Sequence, residues 1–223
     1  MRAIILAAGH GERMRPLTDH TPKPLLPAGG RPLMQYHLEN LARAGVREVV
    51  INTGRLGHRI EATFGDGGPW GVNISYSREG EAPLDTGGGI RHALPLLGAG
   101  PFVVVNGDVW TDYDFRRLPA GLDEDLAHLV MVDNPSHHPQ GDFRLIGGRL
   151  RAGGQPRLTY AGLGVFSPAL FQDGPGAAFP LAPLLRRAME EDRVGGQYHP
   201  GAWYDVGTPE RLQALDSKLK NSV

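Results

Sequence analysis

Four short runs in this 223-residue chain are apolar without alternation. They are "IILAA" within Ala3–Ala8, "VVIN" within Glu48–Thr53, "FVVVN" at Phe102–Asn106 and "LVMV" within Leu126–Val132. A strand with one wet face alternates apolar and polar residues, so a short run without alternation predicts a strand covered on both faces. Helical patterns lie between these runs, at Pro32–Ala44, Gly57–Phe64 and Thr86–Leu97. The first has proline at its start and Gly45 just past its end, the asymmetry that helix termini favour. Strand and helix in alternation predict an α/β fold with a mostly parallel sheet and right-handed crossovers.

The texture changes after Asn134. Glycine, proline and short alternating runs dominate 135–168, which predicts antiparallel strands and hairpins on the same core. A helix is expected at Leu181–Glu191. The closing "GAWYDVGTPERLQAL" reads as a short strand or loop and then a helix, with Thr208 as N-cap and Pro209 at its first position.

Composition narrows the function. A net charge of −1 argues against nucleic-acid and membrane-surface partners, so an anionic ligand must meet a local cluster of cations. The chain has no cysteine, which excludes disulfides and thiolate zinc sites. One arginine and six apolar residues precede the first glycine turn, too few for a signal peptide or a membrane span. A cytoplasmic enzyme on small molecules is the expectation.

The stretch "ILAAGHGERMRPLTDHTPKPL" (5–25) runs a buried strand into Gly9-His10-Gly11 and then into Arg13, Arg15 and Lys23 among three prolines. A glycine turn at the carboxyl edge of a sheet exposes backbone N–H groups that can cradle phosphate. Met14 stands where the dinucleotide fingerprint needs glycine, and no late Gly-Lys-Ser/Thr follows, so neither standard nucleotide motif is present. Alone, the turn also suits a plain strand-to-helix connection. Three later stretches carry chemistry of their own. "EAPLDTGGGI" (81–90) offers a glycine-rich helix start, "VVVNGDVW" (103–110) delivers Asp108 to the sheet edge, and "AWYDVGT" (202–208) holds Asp205. A carboxylate after an apolar strand suits a hard cation; it equally suits a turn cap.

Together these stretches resemble the signature of the sugar-phosphate nucleotidyltransferases, roughly L-A-A-G-x-G-T-R-L-x-P-L-T…P-K-x-L-x-P, with Glu12 and Met14 departing from it. The resemblance spans Met1 to about Leu215. It implies a Rossmann-like, glycosyltransferase-A-like single domain over 1–223, nucleotide-binding to about 110 and sugar-binding beyond. By resemblance, Ala7, Gly9, His10, Gly11, Glu12, Arg13 and Lys23 meet the nucleotide, and Glu81, Thr86 and Gly87 its base and ribose. Asn106, Asp142 and Asp205 then bind the sugar, Asp108 and Asp205 hold Mg²⁺, and Arg13, Lys23 and Asp108 are catalytic. "VDNPSHHPQGDF" (132–143) resembles the small uridylyltransferases of cell-wall recycling that act on N-acetylmuramic acid 1-phosphate. His137, His138 and Arg144 are then expected near the lactyl group of that sugar. Adjacent histidines could also bind metal, though they rarely converge on one ion. The chain ends without β-helix repeats, which favours a stand-alone transferase; a monomer is the expectation. Two alternatives stay open: a guanylyltransferase for mannose or heptose 1-phosphate, since "LDTGGG" resembles "LGTAG", and an inactive binding module.

Overall fold

The structure, a computed structural model, describes residues 1–80 and 82–221. The apolar runs become interior strands of one nine-stranded sheet, three of them adjacent and parallel. Strand β1 (Arg2–Leu6) leads to a two-residue hairpin, β2 (Pro27–Ala28) and β3 (Arg31–Pro32), and then to helix α1 (Leu33–Arg43). β4 (Glu48–Thr53), α2 (Gly57–Phe64), β5 (Asn73–Arg78), α3 (Asp85–Leu97) and β6 (Phe102–Asn106) complete the βα half. β7 (Val109–Thr111) leaves the main sheet, and β8 (Ala127–Val132) returns to it. The hairpin β9 (Arg144–Ile146) and β10 (Arg149–Arg151) follows, then the long β11 (Thr159–Phe166) and α4 (Leu181–Glu190). β12 (Val194–Tyr198), β13 (Trp203–Asp205) and α5 (Pro209–Lys220) close the described chain.

The spatial order is β5-β4-β1-β6-β11-β8-β12-β10-β9. β5, β4, β1 and β6 are parallel; β11 runs antiparallel to both β6 and β8; β12 is parallel to β8. The 135–168 stretch thus supplies antiparallel strands, as its alternation predicts. Successive residues of each buried strand face opposite layers. Ile4 and Val104 pack with Ile90, Leu97 and Leu185 of α3 and α4, while Ile5 and Val103 pack with Met34, Leu38 and Ile60 of α1 and α2.

Two strands escape the apolar-run signal. β5, "NISYSR", is an edge strand with polar residues at every other position. β12, "VGGQY", has no room for larger side chains, because a Cβ at Gly195 would lie 2.8 Å from His128 Nδ1 and one at Gly196 2.8 Å from Leu150 Cγ. Its neighbours supply the bulk that the strand itself lacks.

His37 of α1 is buried, stacks on Phe115 with ring centroids 6.4 Å apart, and makes no hydrogen bond at either ring nitrogen. Burial pushes its pKa down to about 4, against weaker opposing effects of the Val109 backbone and the Asp108 charge. The unfolded imidazole titrates near 6.5, so as pH falls the unfolded chain binds this proton first. The folded state therefore loses stability between about pH 6.5 and 4, on the order of 3 kcal/mol in all. His37→Leu is expected to shrink the drop in urea midpoint between pH 7 and pH 4.5; an unchanged drop would place the acid sensitivity elsewhere.

Candidate active site

The site forms where the strand order reverses. From β1 the chain first steps to β4 and β5, then crosses back to β6 on the other side, and such a switch point opens a crevice at the carboxyl ends of the strands. Asn52, Leu6 and Asn106 lie side by side in the pairing of β4, β1 and β6, so all three strands end at one level. A cavity of about 660 Å³ lies above that row.

Its floor and near wall come from the glycine turn. Gly11 has φ +66°, and a Cβ there would lie 2.9 Å from Thr18 Cγ2. The Thr18 hydroxyl donates to the Gly11 carbonyl at 2.8 Å, closing the turn from below. Space around Gly9 is open, so a ligand can approach its backbone. Met14, 1% exposed, anchors the turn in a small cluster with Leu26, Leu33, Val206 and Leu215. With Met14 drawn inward, Arg13 stands exposed on the cavity wall beside Gly9, His10, Gly11 and Glu12. The residue that spoils the dinucleotide fingerprint is thus the one that holds this turn down.

Lys23 reaches the same cavity from a single 3₁₀ turn, Lys23–Leu25, set between Pro22 and Pro24. Its Nζ lies 2.6 Å from Asp108 Oδ2, and the lysine side chain is only 11% exposed. Asp108 follows β6 through Gly107, whose N–H donates to the Leu6 carbonyl at 2.9 Å. A Cβ at Gly107 would lie 2.6 Å from that oxygen, so glycine is needed for Asp108 to emerge beside β1. β13 pairs with β7, and the Val206 N–H donates to the Asp108 carbonyl at 2.9 Å. The register sets Asp205 opposite Val109, the residue after Asp108; Asp108 lines the cavity and Asp205 does not. Asp205 Oδ2 accepts from Arg211 Nη1 at 2.6 Å, with His137 Nε2 at 3.2 Å.

Ala7, Thr86 and Asn106 also line the cavity. Asn106 is seated by a bulge in β11, where Gly162 has φ +72° and a Cβ would lie 2.8 Å from the asparagine amide. Gly87 lies off the wall: its N–H and that of Gly88 donate to the Phe179 carbonyl, and a Cβ at either would strike the 177–179 segment. Gly87 and Gly88 of "DTGGG" thus pack α3 against the 177–179 segment, while a Cβ on Gly89 would meet the Glu79 carboxylate and the Asn52 amide. Asp142 also lies off the wall, accepting the Tyr160 N–H at 2.8 Å and meeting His138 Nε2 at 3.1 Å. Glu81 lies outside the described residues.

Sequence reasoning passes over a brace beneath the cavity. Asn52 Oδ1 accepts the Ala7 N–H at 2.6 Å, Asn52 Nδ2 donates to Glu79 Oε1 at 2.6 Å, and Glu79 Oε2 accepts the Leu84 N–H at 3.3 Å. The chain ties the end of β1 to the start of α3. A polar residue ending an apolar strand was its signal: "VVIN" carries Asn52 as "FVVVN" carries Asn106.

Comparison with known proteins agrees with this architecture. A Neisseria meningitidis serogroup B protein, N-acetylmuramate alpha-1-phosphate uridylyltransferase, is 52% identical over 222 residues, covering 96% of each chain. A Caulobacter vibrioides protein of the same name is 34% identical over 232 residues, covering 97% of this chain and 96% of its own. The solved structure of HddC from Yersinia pseudotuberculosis, complexed with GMP-PN, shares the fold, with a TM-score of 0.78 at 21% identity over 98% of this chain and 99% of that one. Residues 2–143 match the nucleotidyl transferase family. With that match, the relatives and the cavity in agreement, the chain belongs to the nucleotidyl transferase family.

Proposed function

We propose that this protein transfers UMP from UTP to N-acetylmuramic acid 1-phosphate, releasing pyrophosphate, as a step of cell-wall recycling. The observation that carries the substrate choice is the 52% identity to the Neisseria uridylyltransferase along nearly the whole of both chains. The cavity supports the reaction class. Its wall joins a glycine turn, two cations and a carboxylate, Arg13, Lys23 and Asp108, around one space, which argues against a binding-only module.

In this reading an oxygen of the sugar phosphate attacks the α-phosphorus of UTP, a new P–O bond forms, and the bond to the β-phosphate breaks with pyrophosphate leaving in line. The attacking oxygen is already ionised, so no general base is needed. Both reactants are anions, and catalysis rests on positioning and charge neutralisation. The turn at Gly9–Gly11 offers its backbone to the phosphates. Arg13 and Lys23 stabilise the charge that grows on the α-phosphoryl and the leaving group.

Asp108 and Asp205 fit a Mg²⁺ ion. They supply hard oxygen donors on backbone-paired neighbours, and their side chains are 39% and 26% exposed. Among the described residues no cluster of three or more His, Asp or Glu could hold a metal by itself. That suits Mg²⁺, which takes one or two carboxylates and completes its shell with substrate phosphates and water. When bound, such an ion polarises the phosphoryl oxygens and aligns the two substrates. Among the described residues no helix is long and apolar enough to cross a membrane.

A pyrophosphate-release assay tests the proposal by crossing UTP and GTP with the 1-phosphates of N-acetylmuramic acid, N-acetylglucosamine and mannose. UTP with N-acetylmuramic acid 1-phosphate is expected to exceed UTP with N-acetylglucosamine 1-phosphate at least about tenfold in kcat/KM, the size of one lost favourable contact. Equal use of the two sugars, or preference for GTP with mannose 1-phosphate, would refute it.

A further inference from the structure

Asp85, the first residue of α3, stands out by its backbone. Its φ is +60°, a left-handed conformation that costs an L-residue energy and that glycine would take freely. An outlier of this kind persists only where its surroundings hold it, and it gathers at functional sites. Here the surroundings hold it from both sides. The Leu84 N–H donates to Glu79 Oε2 at 3.3 Å, and the Leu84 carbonyl accepts the Phe179 N–H at 3.1 Å. On the other side, the N–H groups of Gly87 and Gly88 both donate to the Phe179 carbonyl, at 2.9 and 3.1 Å.

Asp85 is exposed and lines the main cavity. Strand order says which end of the cavity it belongs to. The neighbours run β5-β4-β1-β6; Glu79 follows β5, Asn52 lies in β4, the glycine turn follows β1 and Asp108 follows β6. Adjacent strands lie about 4.8 Å apart, so the β5 and β6 ends of the cavity are separated by about 14 Å. Arg13, Lys23 and Asp108 take the β1–β6 end. Asp85 is tied through Leu84 to Glu79, and so stands at the β5 end with Asn52, Pro83 and Thr86. A nucleotide laid along the cavity with its phosphates on the glycine turn brings its base to that end.

Two carboxylates line the β5 end, and they differ in what they can offer. Both oxygens of Glu79 are engaged, one by the Asn52 amide and one by the Leu84 N–H. Asp85 uses one: its Oδ1 accepts the Thr86 N–H at 2.6 Å, and among the described residues no donor meets Oδ2. An ionised carboxylate only accepts hydrogen bonds. Uracil carries an N–H at N3, on the edge away from the ribose, where cytosine carries an acceptor nitrogen. A carboxylate oxygen fixed at the base end therefore bonds the N3–H of uracil and opposes N3 of cytosine. A site built to bond a ligand N–H rejects the analogue that lacks it. Because the backbone around Asp85 is already held, little order is lost when the base arrives.

We propose that Asp85 accepts a hydrogen bond from N3–H of uracil and sets the preference for UTP over CTP. The inference rests on the reading above that UTP is the substrate and lies with its phosphates on the glycine turn. The test titrates UTP, CTP and GTP, each with Mg²⁺, into the wild type, Asp85→Asn and Asp85→Gly, and measures kcat/KM for UTP and CTP with N-acetylmuramic acid 1-phosphate. Asparagine and glycine both accept a positive φ, so both variants are expected to fold, and the melting temperature checks this. The wild type is expected to favour UTP over CTP at least about tenfold, in Kd and in kcat/KM. In Asp85→Asn the ratio falls close to one and use of CTP rises, because the amide can donate to N3 of cytosine. In Asp85→Gly the ratio falls because UTP binds more weakly while CTP does not. 3-Methyl-UTP, which lacks the N3–H, reads the same contact without any substitution and is expected to bind the wild type at least about tenfold more weakly than UTP; equal binding overturns the inference. An equal loss for UTP and CTP in the variants overturns it too, and so does a ratio that neither variant moves. A wild type that binds CTP or GTP more tightly than UTP overturns the UTP reading as well. One that binds UTP but does not use this sugar phosphate overturns the sugar reading alone, and the Kd ratio then decides on Asp85.

Discussion

Asp108→Asn is expected to lower kcat by about 10²–10³, the loss that follows removal of a key electrostatic stabiliser. The substitution keeps the size of the side chain and an oxygen for Lys23, whose Nζ lies 2.6 Å from Asp108 Oδ2. What it removes is the negative charge on the cavity wall, and with it one of the two carboxylates proposed for Mg²⁺. Folding should barely change, because Asp108 is 39% exposed and a partly solvated pair is worth about 0–1 kcal/mol. Asp205→Asn is expected to lose activity to a similar degree, since Asp205 is the second carboxylate proposed for the ion. Steady-state rates with and without EDTA check the assignment. An Asp205→Asn enzyme that turns over normally and is still inhibited by EDTA would mean the metal is held elsewhere.

Lys23→Ala should cost a comparable factor, about 10²–10³, and mainly in kcat. A lysine that bound the nucleotide equally in ground and transition states would raise KM and leave kcat alone. The structure favours the first outcome. Lys23 is held in a single 3₁₀ turn between two prolines, with its side chain 11% exposed, so its charge is fixed before the substrate arrives. Fixed charges aimed at developing charge are the kind that act on the transition state. The split between kcat and KM for UTP is the deciding measurement, and a pure KM effect would make Lys23 a binding residue.

Where the chain states its fold most plainly, it does so by burial. Strands covered on both faces must be apolar throughout, and those at β1, β4, β6 and β8 are legible for that reason. The end of α1 by Gly45, with φ +81°, and the capping of α5 by Thr208, which accepts the Arg211 N–H at 3.4 Å, are local chemistry and equally legible. β12 carries no such mark, because two of its five residues are glycines whose space is taken by His128 and Leu150. Nothing local distinguishes that strand from a loop.

The site divides along the same line. The glycine turn, Arg13, Lys23 and Asp108 announce themselves because each follows a buried strand or a rigid proline step, and a sheet edge is a place that sequence can predict. Arg211 and Asn52 do not. One is an ordinary arginine in the first turn of a helix and the other a single polar residue ending a strand. Their roles depend on partners 74 and 45 residues away, His137 and Ala7. The sequence by itself determined the strands covered on both faces, the capped helix ends and which of those strand ends carry charge, since these follow from local periodicity and backbone preference. Only the tertiary structure decided which distant charges meet. It set Asp205 opposite Val109 and brought Arg211 and His137 to Asp205, because contacts between remote segments depend on strand order and pairing register, which no local pattern encodes.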